Sequence, residues 1–194
     1  MAIRVIVCFA LGSIPFAVIA MIGSGIDIRN VGSGNPGFNN VLRVSKPRAA
    51  IALAGDMGKG ALALLLTRPG VTARWELWLL AFAAILGHCY SPFLKFKGGK
   101  GVATSGGVML VLDWRFAVIS LAYFVVARLM GSKALKLKEA GAVASLSSWV
   151  LFTLLMVFFR TRVDAIASML IAAFLFWKHQ SNLTHIFARR SLLL

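Results

Sequence analysis

Residues 96–104 read Phe96-Lys97-Gly98-Gly99-Lys100-Gly101-Val102-Ala103-Thr104, three glycines and two lysines between two long apolar segments. Glycines let backbone N–H groups approach an anion without interference from Cβ atoms, and the lysines add full positive charge. The pattern predicts a helix starting at Val102, which would aim its positive dipole end at the same point. A phosphate-sized ligand suits such a loop. A second loop, Asp27 to Arg43, holds three glycines, one serine, four asparagines and two arginines in 17 residues. That density of hydrogen-bonding groups exceeds what a plain connection needs, and Arg43 is able to grip a phosphate through two parallel hydrogen bonds.

Two literal motif matches carry no weight. Residues 32–37 spell Gly-x-Gly-x-x-Gly, but a dinucleotide site requires a preceding strand and a βαβ unit, whereas this loop lies between two apolar spans. Gly99-Lys100-Gly101 and Gly58-Lys59-Gly60 lack the Ser or Thr that follows the lysine of a P-loop. Asp56 and Lys59 are charges inside an apolar run. Their i to i+3 spacing puts them on one helix face, so an internal ion pair is expected. His88, in Gly87-His88-Cys89, ends the next apolar run just before the lysine–glycine loop, either as a general base or as a satisfied helix-end histidine. His179 leaves the last apolar run in Lys178-His179-Gln180-Ser181-Asn182. Cys8 and Cys89 lie in apolar runs and no metal-ligand spacing links cysteine or histidine. No metal and no organic cofactor is expected.

The elements that must position these residues are apolar helices. The chain is 59% hydrophobic and only 14% charged, too apolar for a soluble domain of this size and too sparsely charged for a disordered basic arm. Its formal net charge of +15 serves topology and contact with anionic lipid. Nucleic acid is not the expected partner, because the Lys and Arg residues form no stripe and few aromatics interleave with them. Candidate spans are 2–22, 50–67, 75–94, 102–112, 116–130, 143–159 and 163–177. An all-α integral membrane protein of about seven transmembrane helices is therefore expected.

Topology follows from the basic clusters Arg29/Arg43/Lys46/Arg48, Lys95/Lys97/Lys100, Arg128/Lys133/Lys136/Lys138 and Lys178/Arg189/Arg190. If all four face the cytoplasm, two crossings separate each pair, and the chain between 101 and 128 must reverse at Asp113-Trp114-Arg115. The N-terminus then lies outside and the C-terminus inside. Arg4, Arg68, Arg74, Arg115, Arg160 and Arg162 stay on the outer side. The 102–112 segment is short for a crossing: 11 residues reach only about 16 Å as a helix.

The chain resembles the acyl-phosphate-dependent glycerol-3-phosphate acyltransferases of bacterial membranes. The matching pieces are Gly12-Ser13-Ile14-Pro15-Phe16, the Asp27–Arg43 loop, Asp56-x-x-Lys59-Gly60, and Gly87-His88 running on to Phe96–Thr104. They cover the first half of the chain, in order. The resemblance implies a seven-span fold and one acyltransferase domain over 1–194. It implies transfer of a fatty acyl group from acyl phosphate to the 1-hydroxyl of glycerol 3-phosphate, giving lysophosphatidate and phosphate, the first step of phospholipid synthesis. It implies the bacterial plasma (inner) membrane, an active site on the cytoplasmic side, membrane lipid as surroundings and no obligate protein partner.

Site residues carried over with the resemblance are Ser33, Arg43, Lys100, His179 and Asn182 as catalytic. Gly98, Gly99, Lys100 and Gly101 are expected to bind acyl phosphate. Ser33, Asn35, Asn40, Arg43 and Lys97 are expected to bind glycerol 3-phosphate. The base that takes the glycerol proton stays open between His179, His88 and a substrate phosphate oxygen. The sequence departs from the family at Phe38 and Asn39, in Lys138-Glu139-Ala140-Gly141-Ala142, and at His185 and Arg189-Arg190, which replace an arginine and a Gly-x-Glu element. The alternatives are a transporter of organic phosphates and an inactive diverged paralogue. The seven-crossing topology makes a direct prediction: a tag at residues 113–115 reacts with a membrane-impermeant reagent added outside spheroplasts. Labelling only after lysis contradicts it.

Overall fold

The computed structural model describes residues 1–137 and 139–184, and every regular element among them is helical. The expectations that rest on Lys138, His185, Arg189 and Arg190 lie outside the described residues. The helices are α1 (Ala2–Ser13), α2 (Phe16–Ile19), α3 (Phe38–Val44), α4 (Lys46–Thr67), α5 (Arg74–Cys89), α6 (Val102–Leu112), α7 (Trp114–Leu129), α8 (Ala140–Phe159) and α9 (Arg162–Lys178). A helix lies at each of the seven expected segments, as a broken pair at the first, and α6 and α9 fall outside the five long enough to cross. Five apolar segments among the described residues are long enough to cross a membrane: Ala2–Ile19, Lys46–Thr67, Arg74–Leu94, Trp114–Ala134 and Ala140–Phe159. The chain is a multi-pass membrane protein. Its packing divides it into two compact units, Met1–Trp114 and Arg115–Leu194.

Helix boundaries differ from the expected spans for identifiable reasons. The first span breaks at Ile14–Pro15, since Pro15 has no N–H to continue the helical ladder. The second starts at Lys46 rather than residue 50, because the Ser45 side chain accepts from the Arg48 N–H and Pro47 fits the first turn. The α9 start is a reciprocal cap. Thr161 Oγ1 donates to Asp164 Oδ2 at 2.8 Å and in turn accepts from the Asp164 N–H at 3.3 Å.

In the first unit, α1 packs on α5 and α4 packs on α6 at backbone contact. A Cβ on Gly12 would strike the Ala84 carbonyl, and one on Gly87 the Phe9 carbonyl. Similarly, Gly60 faces the Thr104 carbonyl and Gly107 the Met57 carbonyl. Small residues at helix crossings are how apolar helices gain packing in a bilayer, where lipid competes equally for apolar surface. The break at Pro15 is tied down by polar groups from α4 and from the segment that follows α5. Lys59 Nζ donates to Ile14 O at 2.6 Å, and Ser91 Oγ donates to Ser13 O at 2.6 Å. Lys59 also pairs with Asp56 at 2.7 Å, the ion pair expected from spacing, with both side chains buried.

In the second unit, Ser148 Oγ donates to Ser120 O at 2.8 Å, linking α8 to α7. Thr153 Oγ1 reaches Ser168 O at 3.5 Å, linking α8 to α9. Arg160 stacks over the Phe116 ring at 4.5 Å from its centroid.

Lys59 thus satisfies a carbonyl and a carboxylate together. Lys59→Met leaves both without it, and removing one partner of a buried pair costs about 3–5 kcal/mol. We expect a clearly lower Tm in detergent for Lys59→Met, and a smaller loss for Asp56→Asn combined with Lys59→Met. A single variant as stable as the wild type contradicts this.

Candidate active site

The Asp27–Arg43 loop is organised by its own side chains. Asp27 accepts from the Arg29 N–H at 2.9 Å and pairs with the Arg29 guanidinium at 2.8–3.1 Å. These hydrogen bonds from Arg29, with the charge attraction, hold the Asp27 carboxyl below the usual carboxylate range. Arg29 is thereby occupied within the loop. Asn40, on the first turn of α3, donates from Nδ2 to Val31 O at 2.7 Å. Its Oδ1 faces the N–H and hydroxyl of Ser33 at 3.4 and 3.3 Å. Asn40 is buried whereas Ser33 is exposed, so Asn40 holds the backbone that carries the serine.

Gly32 is the hinge of this arrangement. Its φ is +56°, and a Cβ there would meet the Arg43 guanidinium and lie 2.8 Å from Asn40 Oδ1. Asn40 and Arg43 sit one helical turn apart on α3, so both reach the Ser33 side of the loop. The structure therefore brings Ser33, Asn40 and Arg43 together around Gly32, with Ser33 and Arg43 both exposed. Asn35 belongs to the same loop, two residues before Gly37 caps α3. Beneath it lies an apolar base of Ala17, Met21, Ile28, Val41 and Ala49. Arg48 fastens the loop's start by donating to Ala20 O and Ile22 O, both at 2.7 Å.

The lysine–glycine loop meets its expectation in outline and differs in one detail. The helix does begin at Val102, and Gly101 caps it with φ +85°. The Gly98 and Gly99 amides, however, do not point at an open anion seat. Gly98 N–H donates to Cys89 O at 3.2 Å and Gly99 N–H to His88 O at 3.1 Å. They close the C-terminal turn of α5, whose last carbonyls have no acceptor role inside the helix. The N–H groups without intrahelical acceptors lie one step along, in the first turn of α6. Lys97 precedes the glycines and is exposed.

His88 is buried behind this loop. Its Nδ1 lies 3.5 Å from Asp56 Oδ1, and its Nε2 edge faces Gly99. Spacing pairs Asp56 with Lys59 in the sequence, whereas His88 gives a separate signal that only the fold brings to them. In the second unit, His179 is buried with Nδ1 2.8 Å from Leu175 O. A carbonyl only accepts, so Nδ1 carries the proton and a neutral His179 keeps its lone pair on Nε2. Asn182 Nδ2 donates to Glu139 Oε2 at 2.5 Å. Glu139 was noticed in the sequence only as a departure from a serine-containing pattern, and here it anchors Asn182.

A helical integral-membrane protein with a basic serine–arginine loop and a second glycine-rich loop capping a helix end is an enzyme-like arrangement for phosphate-bearing substrates. The profile of the glycerol-3-phosphate acyltransferase family matches residues 2–189, and the chain belongs to that family. It is 38% identical over 183 residues to glycerol-3-phosphate acyltransferase 1 of Deinococcus radiodurans, covering 93% of this chain and 89% of that one. It is 39% identical over 189 residues to the glycerol-3-phosphate acyltransferase of Geobacillus kaustophilus, covering 95% and 91%. A crystal structure of PlsY (YgiH), an integral membrane glycerol 3-phosphate acyltransferase, in its glycerol 3-phosphate form superposes with a TM-score of 0.86. That match has 30% identity and covers 97% of this chain and 92% of the other. Its lysophosphatidic acid form gives 0.84 at 28% identity.

The Gly32 geometry yields a prediction. Gly32→Ala strains a left-handed backbone and displaces Arg43, so it should mimic an Arg43 variant in glycerol 3-phosphate KM while α-helical content by circular dichroism stays unchanged. A normal KM contradicts the seat described.

Proposed function

We propose that this chain transfers a fatty acyl group from an acyl phosphate to the 1-hydroxyl of glycerol 3-phosphate. The acyl C–O bond to phosphate breaks, an ester bond to the glycerol oxygen forms, and the products are 1-acyl-glycerol 3-phosphate and inorganic phosphate. The observation that carries this reading is the convergence of Ser33 and Arg43 on Gly32, in a member of the glycerol-3-phosphate acyltransferase family. Arg43 supplies a planar pair of donors for the phosphate of the acceptor. Ser33, presented by Asn40, orients its glycerol end. Asn35 and Lys97 add polar and positive contacts for the same ligand.

The acyl phosphate is assigned to Gly98, Gly99, Lys100 and Gly101. The first two glycines set the loop's position, while Lys100 and the start of α6 stabilise charge that builds on the departing phosphate. Phosphate is a good leaving group, so the chemical demand falls on the acceptor hydroxyl, whose proton must be taken by a base. His179 is held in the tautomer that a base requires, with Asn182 beside it in sequence and anchored by Glu139. Both units act as one acyltransferase domain. It crosses the bacterial inner membrane seven times from an outer N-terminus, with these loops on the cytoplasmic side.

The test is phosphate release by purified protein supplied with palmitoyl phosphate and glycerol 3-phosphate. No release above background from folded protein defeats the reading. With activity in hand, Arg43→Ala should raise the glycerol 3-phosphate KM by about 10- to 100-fold, the range for losing hydrogen bonds to a charged group. His179→Gln should lower kcat by about 100-fold or more, with KM values little changed. A His179 variant that keeps its full kcat removes it from the role of base.

A further inference from the structure

The Asp56–Lys59–His88 cluster is not needed for either phosphate seat as described, yet it is the most deeply buried group of ionisable side chains in the first unit. Asp56 is 1%, Lys59 4% and His88 7% exposed. Charges at such depth are expensive, and in membrane proteins they mark function or obligate pairing. Pairing alone accounts for Asp56 and Lys59. It does not account for a histidine whose one edge lies on Asp56 Oδ1 at 3.5 Å and whose other edge lies on a glycine of the loop.

The two central glycines have different neighbours. A Cβ at Gly98 would strike backbone: the His88 carbonyl, with Cys89 C and O both at 2.9 Å. A Cβ at Gly99 would strike the His88 ring alone, at Nε2, with Cε1 at 3.0 Å and Cδ2 at 3.2 Å. The Gly99 N–H meanwhile donates to the carbonyl of that same His88. Gly99 is thus gripped by one residue twice, through its amide and against its α-carbon. The next residues are Lys100 and the Gly101 cap of α6. A shift of Gly99 therefore carries Lys100 with it.

We infer that His88 is a positioning residue for the donor site: Asp56 holds its Nδ1 edge, and the ring forms the wall that fixes Gly99 and hence Lys100 and the start of α6. An anion on the Nδ1 side favours a proton there, which fixes the ring's orientation. The inference rests on the assignment of this loop to the acyl phosphate. It gives Gly99 a reason to be glycine that differs from direct obstruction of the ligand, and the two reasons predict different double variants.

The experiment is a double-mutant cycle on full-length protein in detergent, with KM for palmitoyl phosphate and for glycerol 3-phosphate measured separately. Wild-type turnover is measured first. No palmitoyl-phosphate-dependent release at that stage defeats the assignment of function itself. Gly99→Ala should raise the donor KM about tenfold or more, leaving the acceptor KM within about twofold. His88→Ala should raise the donor KM too, whereas His88→Gln, which keeps bulk beside Gly99, should restore it toward the wild-type value.

The decisive variant combines Gly99→Ala with His88→Ala. Removing the ring makes room for the methyl group, so its donor KM should be no higher than that of His88→Ala alone. Multiplied effects of the two changes overturn the inference and favour obstruction of the ligand by the methyl group. An unchanged donor KM in Gly99→Ala, or equal changes in both KM values, also overturns it. If His88→Ala fails to reach the membrane in folded form, His88→Asn takes its place in the cycle. It keeps an amide toward Asp56 while shortening the Nε2 side, and the same criteria apply.

Discussion

The buried charge of Lys59 is the constraint on which the first unit depends. An ammonium in an apolar helix needs partners on several sides, because an unpaired ion there costs several kcal/mol. Its partners come from different elements: Asp56 at 2.7 Å on its own helix and the Ile14 carbonyl at 2.6 Å. The second lies at the break of the first span, where the Ile14 carbonyl also accepts from the Phe16 N–H at 3.1 Å, outside the helical ladder. A break of this kind is tolerated in an apolar span where neighbouring groups pair with its carbonyls, as Lys59 does here. α5 joins through His88 on Asp56, and the segment after it through Ser91 on the Ser13 carbonyl. One cation thus links α1, α4 and, through Asp56, α5, at the level where the lysine–glycine loop begins.

The two loops are built by different means. The Asp27–Arg43 loop is built from side chains: Asn40 holds the Ser33 backbone, Arg48 holds Ala20 and Ile22, and Arg29 is tied to Asp27. Ser33 and Arg43 are both exposed above the loop's apolar base. The lysine–glycine loop is built from helix ends. Its first glycine amides close α5, and the next residues open α6. The negative end of one helix dipole is covered by the same short segment that exposes the positive end of another. The loop leaves little room for added side-chain atoms at Gly98 and Gly99 alike, against backbone at the first and against the His88 ring at the second.

Much of this was legible in the sequence where a single element carries the signal. The spans followed from apolar length, the start of α6 from the glycine punctuation, and the Asp56–Lys59 pair from spacing on one helix. The cluster of Ser33 and Arg43 was legible as a motif, though not the use of Asn40 as its support. Periodicity and spacing do not reveal a contact between helices. For that reason the meeting of His88 with Asp56 and Gly99, the Glu139–Asn182 bond, and the Lys59–Ile14 bond became visible only in the fold. The same limit explains the glycine amides. Composition shows that residues 98–101 carry free N–H groups in principle, but not that α5 ends with carbonyls waiting beside them.

The distribution of rigidity follows from these contacts. A phosphate leaving group must be met by donors already in place, since donors that reorganise during the reaction lose much of their benefit. Lys100 is long and intrinsically mobile, and it gains a defined origin only if the backbone beneath it is fixed. Gly99 is fixed by His88, His88 by Asp56, and Asp56 by Lys59 and the apolar packing around it. Asp56, Lys59 and His88 are costly to bury, and each lies against the next. The buried cluster and the lysine–glycine loop are therefore one construction: ionisable groups placed deep in the apolar helices hold the backbone from which Lys100 extends.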